Sequence, residues 1–191
     1  KPLTDYSRYK AECEAILLNY QSSSFITTIL RPATVCGYSP RQRLDVIVNI
    51  FTNLAFHKRE ISIFGGDQLR PNIHIKDLVD AYLLLLQAPE NKINGRIFNA
   101  GYKNYSVKDL ALIVKSVIGE DVKLSTIPND DKRSYHISSK KIREVLGFAP
   151  SYSIENAAED LKGVFNSQLL KDPLNNENYY NIKKMQNIKL I

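Results

Sequence analysis

Apolar residues three and four positions apart open the chain: Tyr9, Cys13, Ile16, Leu17 and Tyr20 predict a helix over 6–20, with Asp5 placed to cap it. The pattern then changes. Phe25 to Arg31 is a near-continuous apolar and β-branched run, the form of a parallel-sheet strand covered on both faces. Pro32 is expected to stop it, so the small-residue turn that follows lies at a strand's C-terminal end, the edge at which open α/β sheets bind ligands. A basic loop over 38–43 leads to a helix near 45–57, with Ile47, Ile50, Phe51 and Leu54 on one face. Ile61 to Ile63 reads as a short strand closed by Gly65-Gly66-Asp67, and 72–75 as extended. Asp77 is placed to cap a helix over 78–88 whose stripe is Leu78, Val79, Tyr82, Leu83 and Leu86.

The same alternation continues downstream. A strand over 97–100 is closed by Gly101, and Ser106 with Asp109 resembles a capping box. The helix it opens carries Leu110, Ile113, Val114 and Val117 and ends at Gly119. A strand over 122–127, a helix over 139–146 stopped by Gly147, and a helix over 154–169 follow. The Asn-, Lys- and Tyr-rich tail, 171–191, has no period and is expected to pack loosely or to wrap the surface. Strands alternating with helices make the class α/β or α+β.

Composition narrows the function classes. The 191 residues are 43% hydrophobic and 24% charged, as in an ordinary globular protein. The longest apolar stretch, Tyr82 to Leu86, falls far short of a membrane span, and no membrane partner is expected. The first residues lack the apolar core of a signal peptide, and a helix begins almost at once, as expected of a piece of a longer chain. The net charge of +6 is spread along the sequence and suits an anionic small molecule. No nucleic-acid motif is visible, so RNA or DNA is the lesser alternative. Cys13 and Cys36 have no CxxC spacing and are expected to be reduced, buried thiols of a cytoplasmic protein. His57, His74 and His136 stand at no ligand spacing, so no metal site is expected.

The chemistry centres on Tyr6 and Lys10. At i and i+4 of a helix they share a face, about 6 Å apart. An ammonium beside a phenol favours the phenolate, and such a pair can exchange a proton with a substrate hydroxyl near neutral pH. Spacing alone fits equally a packed Tyr beside a solvated Lys.

Four ordered segments decide the context. Tyr6-Ser7-Arg8-Tyr9-Lys10 precedes a strand ending Leu30-Arg31-Pro32. The second segment runs from Ile63-Phe64-Gly65-Gly66-Asp67 through Arg70 to His74-Ile75-Lys76-Asp77, and the third is Phe98-Asn99-Ala100-Gly101 followed by Tyr105-Ser106-Val107. The fourth runs from Lys141 to Leu146-Gly147-Phe148-Ala149-Pro150. Together they resemble the extended short-chain dehydrogenase/reductase family of NAD-dependent epimerases and dehydratases, UDP-glucose 4-epimerase-like, over residues 6–150. The resemblance implies a fold: the C-terminal part of a Rossmann-type parallel sheet plus a small α+β substrate-binding lobe. Residues 1–60 would be the remnant of the dinucleotide-binding domain, 61–170 mostly the substrate lobe, and 171–191 a tail.

The resemblance also implies roles. Tyr6 would be the acid/base, and Lys10 would hold the nicotinamide ribose and lower the Tyr6 pKa. Pro32 and the backbone to Val35 would line the nicotinamide pocket of NAD or NADP. Arg70 and Arg133 match positions for the substrate diphosphate, where a guanidinium offers a permanent charge and a fork of donors. Phe64 would pack the nucleotide base, with Asn49 and Arg43 as further substrate contacts. Blander roles exist for Arg70 at the surface, for Phe64 in the core, and for Arg133 beside Asp130 and Asp131. His74 and Asp77 read as structural, the first packing at a strand end and the second capping a helix. The substrate would be a nucleotide-diphosphate sugar, and a homodimer would form through the Tyr6 helix and the 45–57 helix. Tyr9 stands where the family usually has Ser or Thr, and no glycine-rich dinucleotide loop follows any strand in this sequence. A binding module that holds nucleotide-sugars or a protein without NAD is the alternative.

Overall fold

Thr4, rather than Asp5, opens the first helix. The Thr4 hydroxyl accepts the Ser7 amide at 3.2 Å and Ser7 accepts the Thr4 amide at 3.1 Å, a reciprocal cap that starts α1 (Asp5–Asn19). The structure, a computed structural model, describes residues 4–129 and 134–189. α1 buries none of its residues. Cys13, expected inside, is exposed, whereas Cys36 is buried as expected.

Three small sheets follow. β1 (Thr28–Pro32) pairs in parallel with β5 (Arg96–Ala100), Ile29 opposite Ile97 and Pro32 opposite Ala100. The strand ends at Pro32 as expected, with Pro32 as its last paired residue. Among the described residues β1 pairs with β5 alone, so the missing N–H breaks no ladder bond on the other side, and Ala33 beyond it donates to the Ala100 carbonyl at 2.7 Å. The expected cover on both faces is absent: in β1 only Ile29 is buried. β4 (Leu69–His74) runs parallel to β2 (Thr34–Cys36) and antiparallel to β6 (Lys103–Ser106). β3 (Glu60–Phe64) runs parallel to β7 (Lys123–Ile127).

Two main cores result. α2 (Ile47–Lys58) and α5 (Val107–Ile118) pack on β3, α7 (Ile154–Asn166) packs on both helices, and together they bury Val48, Phe51, Ile61, Leu110, Val114 and Ala157. α3 (Ile75–Gln87), α4 (Glu90–Ile93) and α6 (Lys140–Leu146) flank a second core around Ile73, Leu78, Phe98 and Ile142. Each such side chain contributes roughly 1.5–3 kcal/mol when fully buried. The capping box of Ser106 and Asp109 forms as expected. α3 turns a different face inward from the expected stripe. Leu78, Ala81 and Leu85 are buried, while Val79, Tyr82, Leu83 and Leu86 are exposed. The helix has a polar side at Lys76, Asp80 and Gln87 and a wide apolar face opposite, of which the neighbouring core covers only the edge formed by Leu78, Ala81 and Leu85.

Asp77 does not cap α3. His74 does, its Nδ1 accepting the Lys76 amide at 3.1 Å. The Asp77 carboxylate instead accepts the amides of Ser151 and Tyr152 at 2.7 and 3.1 Å, which ties the approach to α7 onto α3. The tail is ordered against the body. Leu44, Leu161 and Phe165 form a third buried cluster with Tyr179 and Tyr180 against it, and α8 (Asn181–Asn187) follows.

Candidate active site

A cleft of about 600 Å³ opens where β1 and β2 end. Tyr6 stands at its side from the first turn of α1, 75% exposed. Pro32, Ala33, Thr34 and Val35 form the floor, and Ser39, Arg41, Gln42, Arg43, Val46 and Asn49 form one wall. Pro71, Ile75, Tyr135 and Ile137 form the other. Five residues singled out from sequence, Tyr6, Pro32, Val35, Arg43 and Asn49, thus share one cavity although they span four elements and one loop.

Lys10 lies one turn further along α1 and lines a different hollow, an apolar groove between α1 and α3 that also holds Leu17, Leu30 and Tyr82. There the hydrogen-bonded Arg31 holds the Glu14 carboxyl below its ordinary range, with Lys10 adding a smaller pull. Arg70 is half-buried on β4 behind Tyr135, its guanidinium 5.4 Å from that ring and donating to the Leu69 carbonyl at 2.9 Å. Phe64 is 53% exposed at the end of β3 and does not line the cleft. Arg133 lies outside the described residues.

The wall over 37–46 is held from within. Asn49 Oδ1 accepts the Gly37 amide at 3.0 Å, and its Nδ2 donates to the Arg43 carbonyl at 2.8 Å. Gln42 accepts the Ser39 amide at 3.0 Å and donates to the same Arg43 carbonyl at 2.8 Å. Both amides are buried, so leaving their partners unpaired would cost about 1–3 kcal/mol each. Arg43 itself pairs with Asp45 at 2.9 Å.

The opposite wall is an extended strap. Leu69 donates to Ser134 Oγ at 3.0 Å, and Asn104 brackets Ile137 by bonds of 2.9 and 3.0 Å. Tyr135 and Ile137 line the cleft, while His136 and Ser138, again with Ile137, line a neighbouring hollow. Sequence reading missed Tyr135, Arg41 and Gln42. The polar stretch around Tyr135 carries no periodic signal, whereas the run Arg41-Gln42-Arg43 was legible as basic but not as a wall.

The remaining reactive group is quiet. Burial pushes the Cys36 thiol up to about 12, and its Sγ donates to the Ile73 carbonyl at 3.4 Å. No cluster of metal-ligating side chains occurs among the described residues. The cleft therefore offers a phenol, an apolar floor and guanidinium groups at its walls. Such a set can exchange a proton with a hydroxyl and attract an anion.

Known proteins resemble this chain in sequence and in fold. The UDP-glucose 4-epimerase of Corynebacterium glutamicum is 31% identical over 107 residues, covering 51% of this chain and 32% of that protein. That of Azospirillum brasilense is 25% identical over 170 residues, covering 79% of this chain and 49% of its own. The chain thus spans about a third to a half of the length of these relatives. The structure of a UDP-glucose 4-epimerase from Thermotoga maritima with UDP-glucose superposes with a TM-score of 0.76 at 27% identity, over 89% of this chain and 56% of the other. A UDP-glucuronic acid 4-epimerase from Bacillus cereus, in complex with UDP-glucuronic acid and NAD, shares the fold with a TM-score of 0.75 at 23% identity, over 89% of this chain and 55% of the other. The partly parallel α/β architecture is thus that of Rossmann-like epimerases. A family model matches residues 1–101, more than half of the sequence, and the chain belongs to the NAD-dependent epimerase/dehydratase family.

Proposed function

We propose that this chain is the substrate-side part of an NAD- or NADP-dependent epimerase or dehydratase that acts on a nucleotide-diphosphate sugar. The observation that carries the reading is the shared cleft: Tyr6 faces the same cavity as Pro32, Val35 and Arg43. The residues present fit the nicotinamide end of the cofactor, because Pro32, Ala33 and Val35 give a small apolar floor beside the phenol. When bound there, the nicotinamide supplies reversible hydride transfer.

The chain's own residues do the rest. Tyr6 Oη takes the proton of a sugar hydroxyl as the C–H electron pair of the same carbon leaves, and a carbonyl forms on the sugar. The proton returns from Tyr6 when the carbonyl is reduced again. Lys10, one turn further along α1 and outside the cleft, would reach the nicotinamide ribose from its side. Arg70 and Arg133 hold the diphosphate, Phe64 packs the base, and Arg43 and Asn49 shape the sugar end. Delivery of hydride to the other face gives an epimer, and loss of water from the oxidised sugar gives dehydration.

Tyr6→Phe in the complete protein tests the assignment. Turnover of UDP-glucose or UDP-galactose should fall roughly 10²- to 10⁴-fold with the fold intact, the range for losing a positioned acid/base. A rate near that of the wild type at saturating substrate and NAD removes Tyr6 from the mechanism.

A further inference from the structure

The cleft wall that carries Arg43 has a second support, and it comes from the far end of the chain. Arg41 donates to the Asn178 carbonyl at 3.2 Å and to Asn181 Oδ1 at 3.0 Å. The Leu44 amide donates to the Tyr179 carbonyl at 2.8 Å. Asp45 is the joint: one carboxylate oxygen accepts from Arg43 Nε at 2.9 Å, and the other accepts the Asn181 amide at 2.9 Å. Behind them, Asn53 on α2 donates to the Tyr180 hydroxyl at 3.1 Å, and that hydroxyl donates to the Pro173 carbonyl at 2.8 Å. Leu44 is fully buried against Tyr179 and Tyr180.

We propose that the C-terminal segment 173–187 is a strut that fixes the loop 38–46 in its ligand-accepting shape, with Arg41, Asp45 and Asn181 as positioning residues for the sugar end of the cleft. The physical ground is the character of that loop. Apart from the inner staples of Asn49 and Gln42, it has no regular structure of its own, and a loop without a ladder is ordered only by side-chain and tertiary contacts. Arg43 reaches the cleft from a carboxylate that the tail holds, so a shift of the tail moves a cleft cation directly. Order in the free loop also lowers the entropy that a ligand must spend on binding. The identity of the ligand rests on the function proposed above, whereas the coupling of tail to loop does not.

Asn181→Pro separates the strut from general stability. Asn181 is the first residue of α8, a position where proline is well suited, and Tyr180 before it is already extended at φ −128° and ψ 95°. The substitution removes the amide that Asp45 accepts and the side chain that Arg41 reaches, and it leaves the helix able to form. In the complete, NAD-loaded protein, hydrogen exchange of amides 38–46 should rise about 5-fold or more. Affinity for UDP-glucose should weaken about 5- to 20-fold, the worth of one or two hydrogen bonds. The urea midpoint should hardly move, and Asn181→Asp, which keeps both the amide and an acceptor for Arg41, should restore exchange and affinity. Should the proline variant fail to fold, Asn181→Ala, which deletes only the acceptor, should give the same changes at smaller size. Faster exchange confined to 173–189, or equal behaviour of the proline and aspartate variants, overturns the strut. A wild-type protein that binds no UDP-glucose overturns the proposed ligand instead, and the exchange measurement still decides the strut.

Discussion

His74 ends β4 and caps α3. It is fully buried, stacked on Tyr152 at 4.8 Å, and its Nε2 lies 3.3 Å from Asp160 without hydrogen-bond alignment. A Cβ on Gly37 would come within 2.9 Å of that nitrogen, and Gly37 has φ +96°, so both space and backbone require glycine there. Burial holds the His74 pKa below the ordinary imidazole range. Asp160 pulls it upward and Lys76 pushes it further down, each less than burial does. Because the folded pKa is depressed, the unfolded chain takes up this proton first. Stability from His74 is therefore complete above the unfolded value, about 6.5, and is lost as pH falls below it. His57, also depressed by burial, adds the same sign. Glu14 and Glu177 have depressed carboxyl pKa values, and their stability is lost only below the ordinary carboxylate range. The interval from pH 6.5 to 5 thus isolates the histidines. Urea titrations should show unfolding free energy declining from pH 7 to 5, with a shallower decline in His74→Gln. Equal slopes in the two proteins would count against the buried imidazole as a source.

Helices of similar length differ here in what holds them. α5 buries Val107, Leu110, Ala111, Val114 and Ile118, has a reciprocal cap and ends at Gly119 with φ +154°. α1 has an equally good cap but buries nothing, and Tyr9, Ile16 and Tyr20 remain exposed. Since tertiary packing supplies most helix stability in proteins, the cap cannot compensate. In the 191-residue chain, amides of α1 should exchange at least about tenfold faster than those in the middle of α5. Comparable protection would mean that α1 is packed in solution against something further. The same contrast explains what could be read from sequence. α5 and α7 were legible because reciprocal caps mark where they start. The buried face of α3 was not, since its apolar face is wider than the edge that the neighbouring core covers. β2 and β6 were invisible because they are short, and in β6 largely polar, strands formed by pairing with β4. The cleft was half legible. Pro32 marked its floor and Tyr6 its side, whereas Lys10 lies in another hollow, and the strap that carries Tyr135 is tied by contacts such as that of Leu69 with Ser134, 65 positions away, which no local pattern encodes.

At the scale of the molecule, the proposed ligand contacts divide unequally between cofactor and substrate. The sites proposed for a nucleotide-sugar, namely Arg43, Asn49, Phe64, Arg70 and Arg133, all belong to this sequence, as does the spread positive charge of +6 that favours an anion. For NAD the sites proposed are those of the nicotinamide end alone: Tyr6, Lys10, Pro32 and Val35. A dinucleotide is held chiefly by its pyrophosphate, through glycine-freed backbone amides at a helix N-terminus, and no glycine-rich strand–turn–helix occurs in these 191 residues. The two affinities should therefore come apart in the 191-residue polypeptide. Calorimetry should find UDP-glucose binding that is lost in Arg70→Ala by about 10- to 150-fold, the worth of one charge-assisted contact. NAD should show no dissociation constant below about 10 µM, roughly −7 kcal/mol. Tight NAD binding by this polypeptide would show that a pyrophosphate cradle exists within it, and the division of labour between the two ligands would have to be redrawn around that cradle.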